Sequence, residues 1–265
     1  MFHVELFSSS IASGANTFAQ LTYVSTDAIL PKLVSGVQVA PELKSIMFVA
    51  GVSANLVHVR MQAPSMLPWP YPALSPNNRG TAFESPPRIH DLRDRNLVLK
   101  ETEEFDIFGT QNAGAAQTPY VLVGFSNGQY PPAPAGRYFS VHWTATTTLS
   151  AAAWTQVIPS FDQGLPAGLY AMIGARAFSA TALFFRMFPA MTPLWRPGGV
   201  AVQAYDAIDP PGQRGYAAFA PQETHWGVWL QFFQNVPPQV EFFATAADTA
   251  EEGWFDLVQI SGQTI

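Results

Sequence analysis

Residues 53–70 read SANLVHVRMQAPSMLPWP, and residues 179–197 read SATALFFRMFPAMTPLWRP. Ser53 and Ala54 match Ser179 and Ala180. Arg60-Met61 and Arg186-Met187 follow at the same distance from their serines. Pro64, Met66 and Pro68 match Pro189, Met191 and Pro193, and Trp69 matches Trp195 after a one-residue insertion. The chain has only seven Met and seven Trp, so shared positions of both types point to one unit used twice. An internal repeat limits the architectures open to a chain more than any single motif does.

The repeat extends in both directions. FHVELFSSSIASGANTFAQL (2–21) lies against FSVHWTATTTLSAAAWTQV (139–157), setting Phe2 and Val4 against Phe139 and Val141, and Phe18 and Gln20 against Trp154 and Gln156. Downstream, Gln111-Asn112 is set against Gln234-Asn235, and PYVLVGF (119–125) against PQVEFFA (238–244). The matches keep their order while their spacing drifts, as expected of a duplicated domain whose loops changed length. NGQYPPAPAGR (127–137), rich in Pro and Gly, reads as the linker. The expected domains are 1–130 and 131–265.

Within each half the dominant period is two. Phe2, Val4 and Leu6 share a face, as do Phe139, Val141 and Trp143, and HWGVWLQFF alternates in the same way. Short runs of Val, Phe, Tyr and Trp suit a pleated, partly buried surface. The 23 Pro and 19 Gly fall between these runs and leave little room for helices beyond a turn such as PELKSI (41–46). Many short strands with turns between them predict an all-β protein of two tandem jelly-roll β-sandwiches with few short helices.

The repeated corner has a physical reading. Alternation puts Ala54, Leu56, His58 and Arg60 on one strand face and Met61 on the other, with Arg186 and Met187 divided likewise. The Pro-x-Met-x-Pro that follows cannot continue a central strand, because Pro lacks the donor. Each strand is expected to end at its Met and leave the sheet as an extended segment carrying Trp69 or Trp195.

Charge excludes some functions. The net charge is −6, with three Lys and ten scattered Arg, which does not suit binding to a phosphate backbone. Only 12 % of residues are charged against 48 % hydrophobic, so much of the surface is expected to lie against copies of the chain or a partner. There is no Cys, hence no disulfide or thiolate metal site. MFHVELFSSS lacks the basic-then-apolar pattern of a signal peptide, and no window reaches the roughly 18 apolar residues of a membrane-spanning helix.

Three candidate sites fall short of a full chemical pattern. GFSNG (124–128) fits Gly-x-Ser-x-Gly, but QYPPAPAG cannot supply the helix that a nucleophilic Ser126 needs. Glu104 and Asp106 share a strand face in EFDIFG, resembling the acidic strand of laminarinase-type glycoside hydrolases, but Gly109 stands where their proton donor would be. In this alignment the counterpart strand, HWGVWLQ, has no acid. His3, His58, His90, His142 and His225 show no metal-ligand spacing, and the pairs Asp206/Asp209 and Glu251/Glu252 supply too few oxygens for calcium. No catalytic residue, cofactor or metal is expected.

Two tandem jelly rolls in one short chain, with no Cys, few charges and no catalytic constellation, resemble the double jelly-roll major capsid proteins of tailless icosahedral viruses. The membrane-containing bacteriophage members are nearest in size. The resemblance is architectural and covers the whole chain. It implies a non-enzymatic virion protein, made in the host cytoplasm, whose homotrimers form pseudo-hexameric tiles. Its partners would be itself, neighbouring capsomers, a vertex protein and an internal membrane beneath the shell. Segments 71–100 and 198–222 would be tower loops or intersubunit contacts. Strand pattern begins at Phe2, so the N-terminal membrane anchor of some members is expected to be absent or replaced. Two alternatives stay open: a carbohydrate-binding or glycoside-hydrolysing jelly-roll protein, and a minor virion decoration or spike protein.

Overall fold

The computed structural model describes residues 2–14, 17–24, 36–53, 55–66, 71–74, 89–95, 97–189, 195–201 and 227–262. These residues form eighteen strands and three single 3-10 turns. The chain divides into two compact units, Phe2–Gly128 and Gln129–Ile265.

The first unit contains β1 (Phe2–Ser8), β2 (Ala19–Tyr23), β3 (Val37–Gln38), β4 (Ser45–Val52), β5 (Leu56–Gln62), β6 (Tyr71–Leu74), β7 (Ile89–Asp91), β8 (Glu104–Gln111) and β9 (Tyr120–Ser126). Hydrogen bonding gives the order β1-β9-β4-β7 for one sheet and β2-β8-β5-β6 for the other. β1 passes into β2 where Phe7 faces Tyr23, and β3 adds to the end of β8. This is the strand order of a jelly roll, two four-stranded sheets packed face to face. The core lies where they meet: Phe105 of β8 packs edge-on against Phe7 of β1 and Phe125 of β9, with centroids 6.2 and 5.1 Å away.

The second unit repeats the order. It contains β10 (Arg137–Ala145), β11 (Trp154–Val157), β12 (Ser160–Phe161), β13 (Gly168–Phe178), β14 (Ala182–Phe188), β15 (Gly198–Val200), β16 (Leu230–Phe233), β17 (Gln239–Ala244) and β18 (Glu251–Gly262). One sheet runs β10-β18-β13-β16, with β12 flanking β10, and the other runs β11-β17-β14-β15. Trp143 of β10, fully buried, bridges the sheets by packing on Phe242 of β17 and Phe255 of β18. The protein is therefore all-β, two tandem jelly rolls with short 3-10 turns.

The registers correspond down to their irregularities. In β4 the pairing with β9 skips Met47, so that Ile46 faces Phe125 and Phe48 faces Gly124. In β13 the pairing with β18 skips Ile173, with Met172 facing Leu257 and Gly174 facing Asp256. In β5 Leu56 faces Gln111 and His58 faces Thr110; in β14 Ala182 faces Ala244 and Phe184 faces Phe243. Each unit thus has two bulges at equivalent places. A bulge inserts one residue on one strand and fixes the alignment beyond it.

Register and strand order correct five sequence expectations. Val4 faces Gly124 and Ser140 faces Asp256, so Val4 is equivalent to Ser140 and the alignment of Phe2 and Val4 with Phe139 and Val141 is one residue out. A slip of one turns a strand over. PYVLVGF is β9, whose counterpart is β18; PQVEFFA is β17, the counterpart of β8. Gln111 ends β8 while Gln234 follows β16, so that pair is not equivalent either. The strand opposite EFDIFG in the repeat is therefore not HWGVWLQ, and it does carry an acid, Glu241. Finally, the bulge moves Leu56 off the face of Arg60: Leu56, Val59 and Met61 are all fully buried, while His58 and Arg60 are half-buried on the outer side.

Candidate functional site

The repeated Ser and Arg mark one corner in each jelly roll. Ser53 follows β4 and its Oγ accepts a hydrogen bond from Asn55 N at 3.3 Å. Ser179 follows β13, and its Oγ accepts from Thr181 N and Ala182 N at 3.2 and 3.0 Å. A serine that satisfies main-chain donors two or three residues on stabilises a tight turn. Here the turn carries the chain from one sheet to the other.

Two residues past the bulge comes the arginine. Arg60 lies on the register row Gln20–Phe108–Arg60 and Arg186 on the row Gln156–Glu241–Arg186. The Arg60 guanidinium lies over Phe18 at 4.4 Å and over Phe108 at 4.8 Å. Arg186 lies over Trp154 at 4.2 Å. Phe18 and Trp154 each precede their Gln by two residues, so the cation–π stack occurs twice. The units differ below the cation: the first has Phe108, the second Glu241, whose Oε2 accepts from Arg186 Nε at 2.5 Å and lies 3.2 Å from Arg196 Nε. Arg186 and Arg196 are 1 % and 4 % exposed. Opposite charge and fixed donors are what make a buried guanidinium tolerable.

Met61 and Met187 are fully buried inward-facing residues. After β5 the chain does not leave extended: Pro64–Met66 form a 3-10 turn, held by Ser65 N and Oγ donating to Glu103 at 2.8 and 2.6 Å. Pro189 is buried and Trp195 half-buried. Ala54, Pro68, Trp69, Met191 and Pro193 lie outside the described residues, as do most of the expected tower segments and the pair Asp206/Asp209.

The candidate catalytic residues lie on β1, β8 and β9. Ser126 is fully buried, its Oγ accepting from Gly128 N at 3.1 Å, and β9 leads into turns and the linker with no helix. Glu104 and Asp106 share the outer face of β8; burial and then the Glu104 charge push the Asp106 pKa up. His3 is buried with Nε2 2.9 Å from Glu5 Oε1, inside the first jelly roll. Among the described residues no three His, Asp or Glu side chains form a metal site, and no helix is long and apolar enough to cross a membrane.

One polar concentration is not legible in the sequence, because its members are scattered over three strands and a loop. It covers the outer face of β10, β18 and β13. Arg176 Nη2 donates to Asp256 Oδ1 at 2.8 Å and to Ser140 Oγ at 2.9 Å, and Tyr138 OH donates to the same Asp256 oxygen at 2.8 Å. Beside it, His142 Nδ1 lies 2.6 Å from Asp162 and Nε2 lies 3.5 Å from Glu252. The His142 ring packs on Trp254 at 4.4 Å. A groove of about 380 Å3 runs along this edge, between β10 and residues 162–166.

The first jelly roll serves as an internal control. By register, Ser140, His142, Trp254, Asp256 and Arg176 stand where the first unit has Val4, Leu6, Leu122, Gly124 and Ala50. The fold accepts apolar residues at all five, so the charged network is not a requirement of the jelly roll.

Glu251, at the start of β18, is 1 % exposed and its two carboxylate oxygens reach no hydrogen-bond partner. Burial and then the charge of Asp248 push its pKa up to about 7. Glu251 and Glu252 do not act as a pair, since neighbours on a strand face opposite ways, and Glu252 lies beside His142.

No family model matches the chain, and no curated protein matches it. Among solved structures it is similar to the major capsid protein P2 from bacteriophage PM2, with 8 % identity, all of both chains covered and a TM-score of 0.25.

Proposed function

We propose that this chain is the structural subunit of a virion shell, a major capsid protein whose trimers present six similar barrels as a pseudo-hexagonal tile. The observation that carries the reading is the repeated strand order: two jelly rolls in one chain, matched down to two bulges each. Such matching follows from duplication of one ancestral unit, and a subunit with two equivalent barrels needs three copies to close a six-fold-like ring. The small charged fraction suits extensive contact between copies. In this reading the protein is not an enzyme. Neighbouring capsomers and a vertex protein are its partners, and a membrane beneath the shell is another in this reading.

Sedimentation velocity and negative-stain electron microscopy test it together. Trimers with a hexagonal outline, or closed shells, are expected. A monodisperse monomer at high protein concentration refutes the reading.

A further inference from the structure

Asp248, in the turn between β17 and β18, ties together the connections at one end of the second jelly roll. Its Oδ2 accepts from Ser179 Oγ at 3.1 Å and from Ala180 N at 3.0 Å, both in the corner between β13 and β14. Its main-chain oxygen accepts from Leu149 N at 2.8 Å, in the connection between β10 and β11. Thr245 N, in the same turn, donates to Thr181 O at 3.1 Å. Glu251 follows at the start of β18, opposite Ala145 of β10. Alternation puts it on the face of Phe255, toward the interior. We infer that this clasp is a pH-released latch, in which ionisation of Glu251 frees the 245–250 turn from the corner and from the β10–β11 connection.

The geometry around Glu251 gives its charge no compensation. The carboxyl is buried and neither oxygen has a hydrogen-bond partner. Segments 145–153, 179–182 and 244–250 carry one titratable side chain, Asp248, and it is of the same sign. Glu252 and Arg176 lie on the outer face of the sheet, and Arg186 and Glu241 stand further along β14 and β17. By register Glu251 stands where the first unit has Pro119, so the fold does not require a carboxyl there. While protonated, Glu251 is a neutral group in an apolar end. Once ionised it is an unsolvated charge beside Asp248, which is costly. Lifting the turn gives the carboxylate water and carries Asp248 away. Burial first, and the Asp248 charge second, raise the Glu251 pKa from 4.5 to about 7. The folded value lies above the unfolded one, so the latch is closed at acid pH and opens as pH rises through 7.

Amide hydrogen exchange of the full-length chain between pH 5 and 8.5, corrected for intrinsic base catalysis, tests the latch. Leu149 and Ala180 report on it, because both donate to Asp248. Gln234, which donates to Gly168 O at 3.0 Å at the other end of β13, is the control. In wild type, protection at Leu149 and Ala180 should fall by roughly fifty- to a hundredfold over this range, and by far more than at Gln234. Glu251→Gln should hold it constant. Asp248→Asn keeps an acceptor oxygen but removes the charge, so the loss should be smaller and complete at a lower pH. A Glu251→Gln profile parallel to wild type overturns the latch. An equal loss at Gln234 also overturns it, because the barrel is then opening as a whole. Far-UV circular dichroism checks each variant. If Glu251→Gln does not fold, Asp248→Asn decides, and a loss as large as that of wild type at the same pH overturns the latch. The shell-subunit reading stands or falls separately, on assembly.

Discussion

Replacing Glu251 by Gln should remove a pH dependence that the second jelly roll carries in its interior. The carboxyl is 1 % exposed and unbonded, and its pKa rises from 4.5 to about 7 on folding. A carboxyl with a raised folded pKa holds its proton more tightly in the native state. Its contribution is complete below pH 4.5 and is lost as pH rises through 7. A shift of this size corresponds to about 3 kcal/mol between those limits. Glu251→Gln keeps the shape and the uncharged state, so the variant should match wild type near pH 5 and exceed it by roughly 2–3 kcal/mol near pH 8.5. Urea unfolding between pH 5 and 8.5, followed by tryptophan emission, is the assay. Six of the seven Trp lie beyond residue 128, so the signal reports mainly the second unit. Parallel pH profiles for wild type and variant would refute the reasoning, because the slope would then come from other groups.

Glu241→Ala should destabilise the second unit by about 3–5 kcal/mol, since it leaves Arg186 and Arg196 buried beside an uncompensated site; Arg60→Ala, which removes a half-exposed cation–π contact, should cost about 1 kcal/mol. Both are read by urea unfolding. Gly253→Ala should cost about 1–3 kcal/mol, because a Cβ there falls 2.1 Å from Arg176 O and 2.5 Å from the Trp143 ring, while Gly114→Ala, in open space, should be neutral. A panel of β-glucans should show no hydrolysis by the purified protein; cleavage that disappears in Glu104→Gln would favour a glycoside hydrolase over a shell subunit.

Fold class was legible because alternation and turn residues are local signals. The Ser–Arg corner was legible because its members lie within one short segment, where no loop intervenes to shift the alignment. The errors came where a single residue decides the face. β10 was placed one position out, since RYFSVHW has apolar residues of both parities and nothing in it marks the bulge on β13 that sets the true register. From sequence β17 reads as the counterpart of β9, because both are short apolar runs after a proline. That slip hid Glu241, the counter-ion of Arg186. The Arg176–Asp256 and His142–Asp162–Glu252 contacts join residues distant in sequence, and only the sheet order brings them together.

The paired bulges bear on how freely such a chain can change. A strand with a bulge is keyed to its neighbour as a notched rod is to its socket: sliding it by one place would leave the notch unfilled and turn every side chain over. With both keys kept, the connecting segments can be lengthened, shortened or exchanged while the barrels hold their alignment. Loop grafts placed after β5 or after β14 should therefore leave strand pairing intact, whereas deletion of Met47 or Ile173 should cost the barrel its fold.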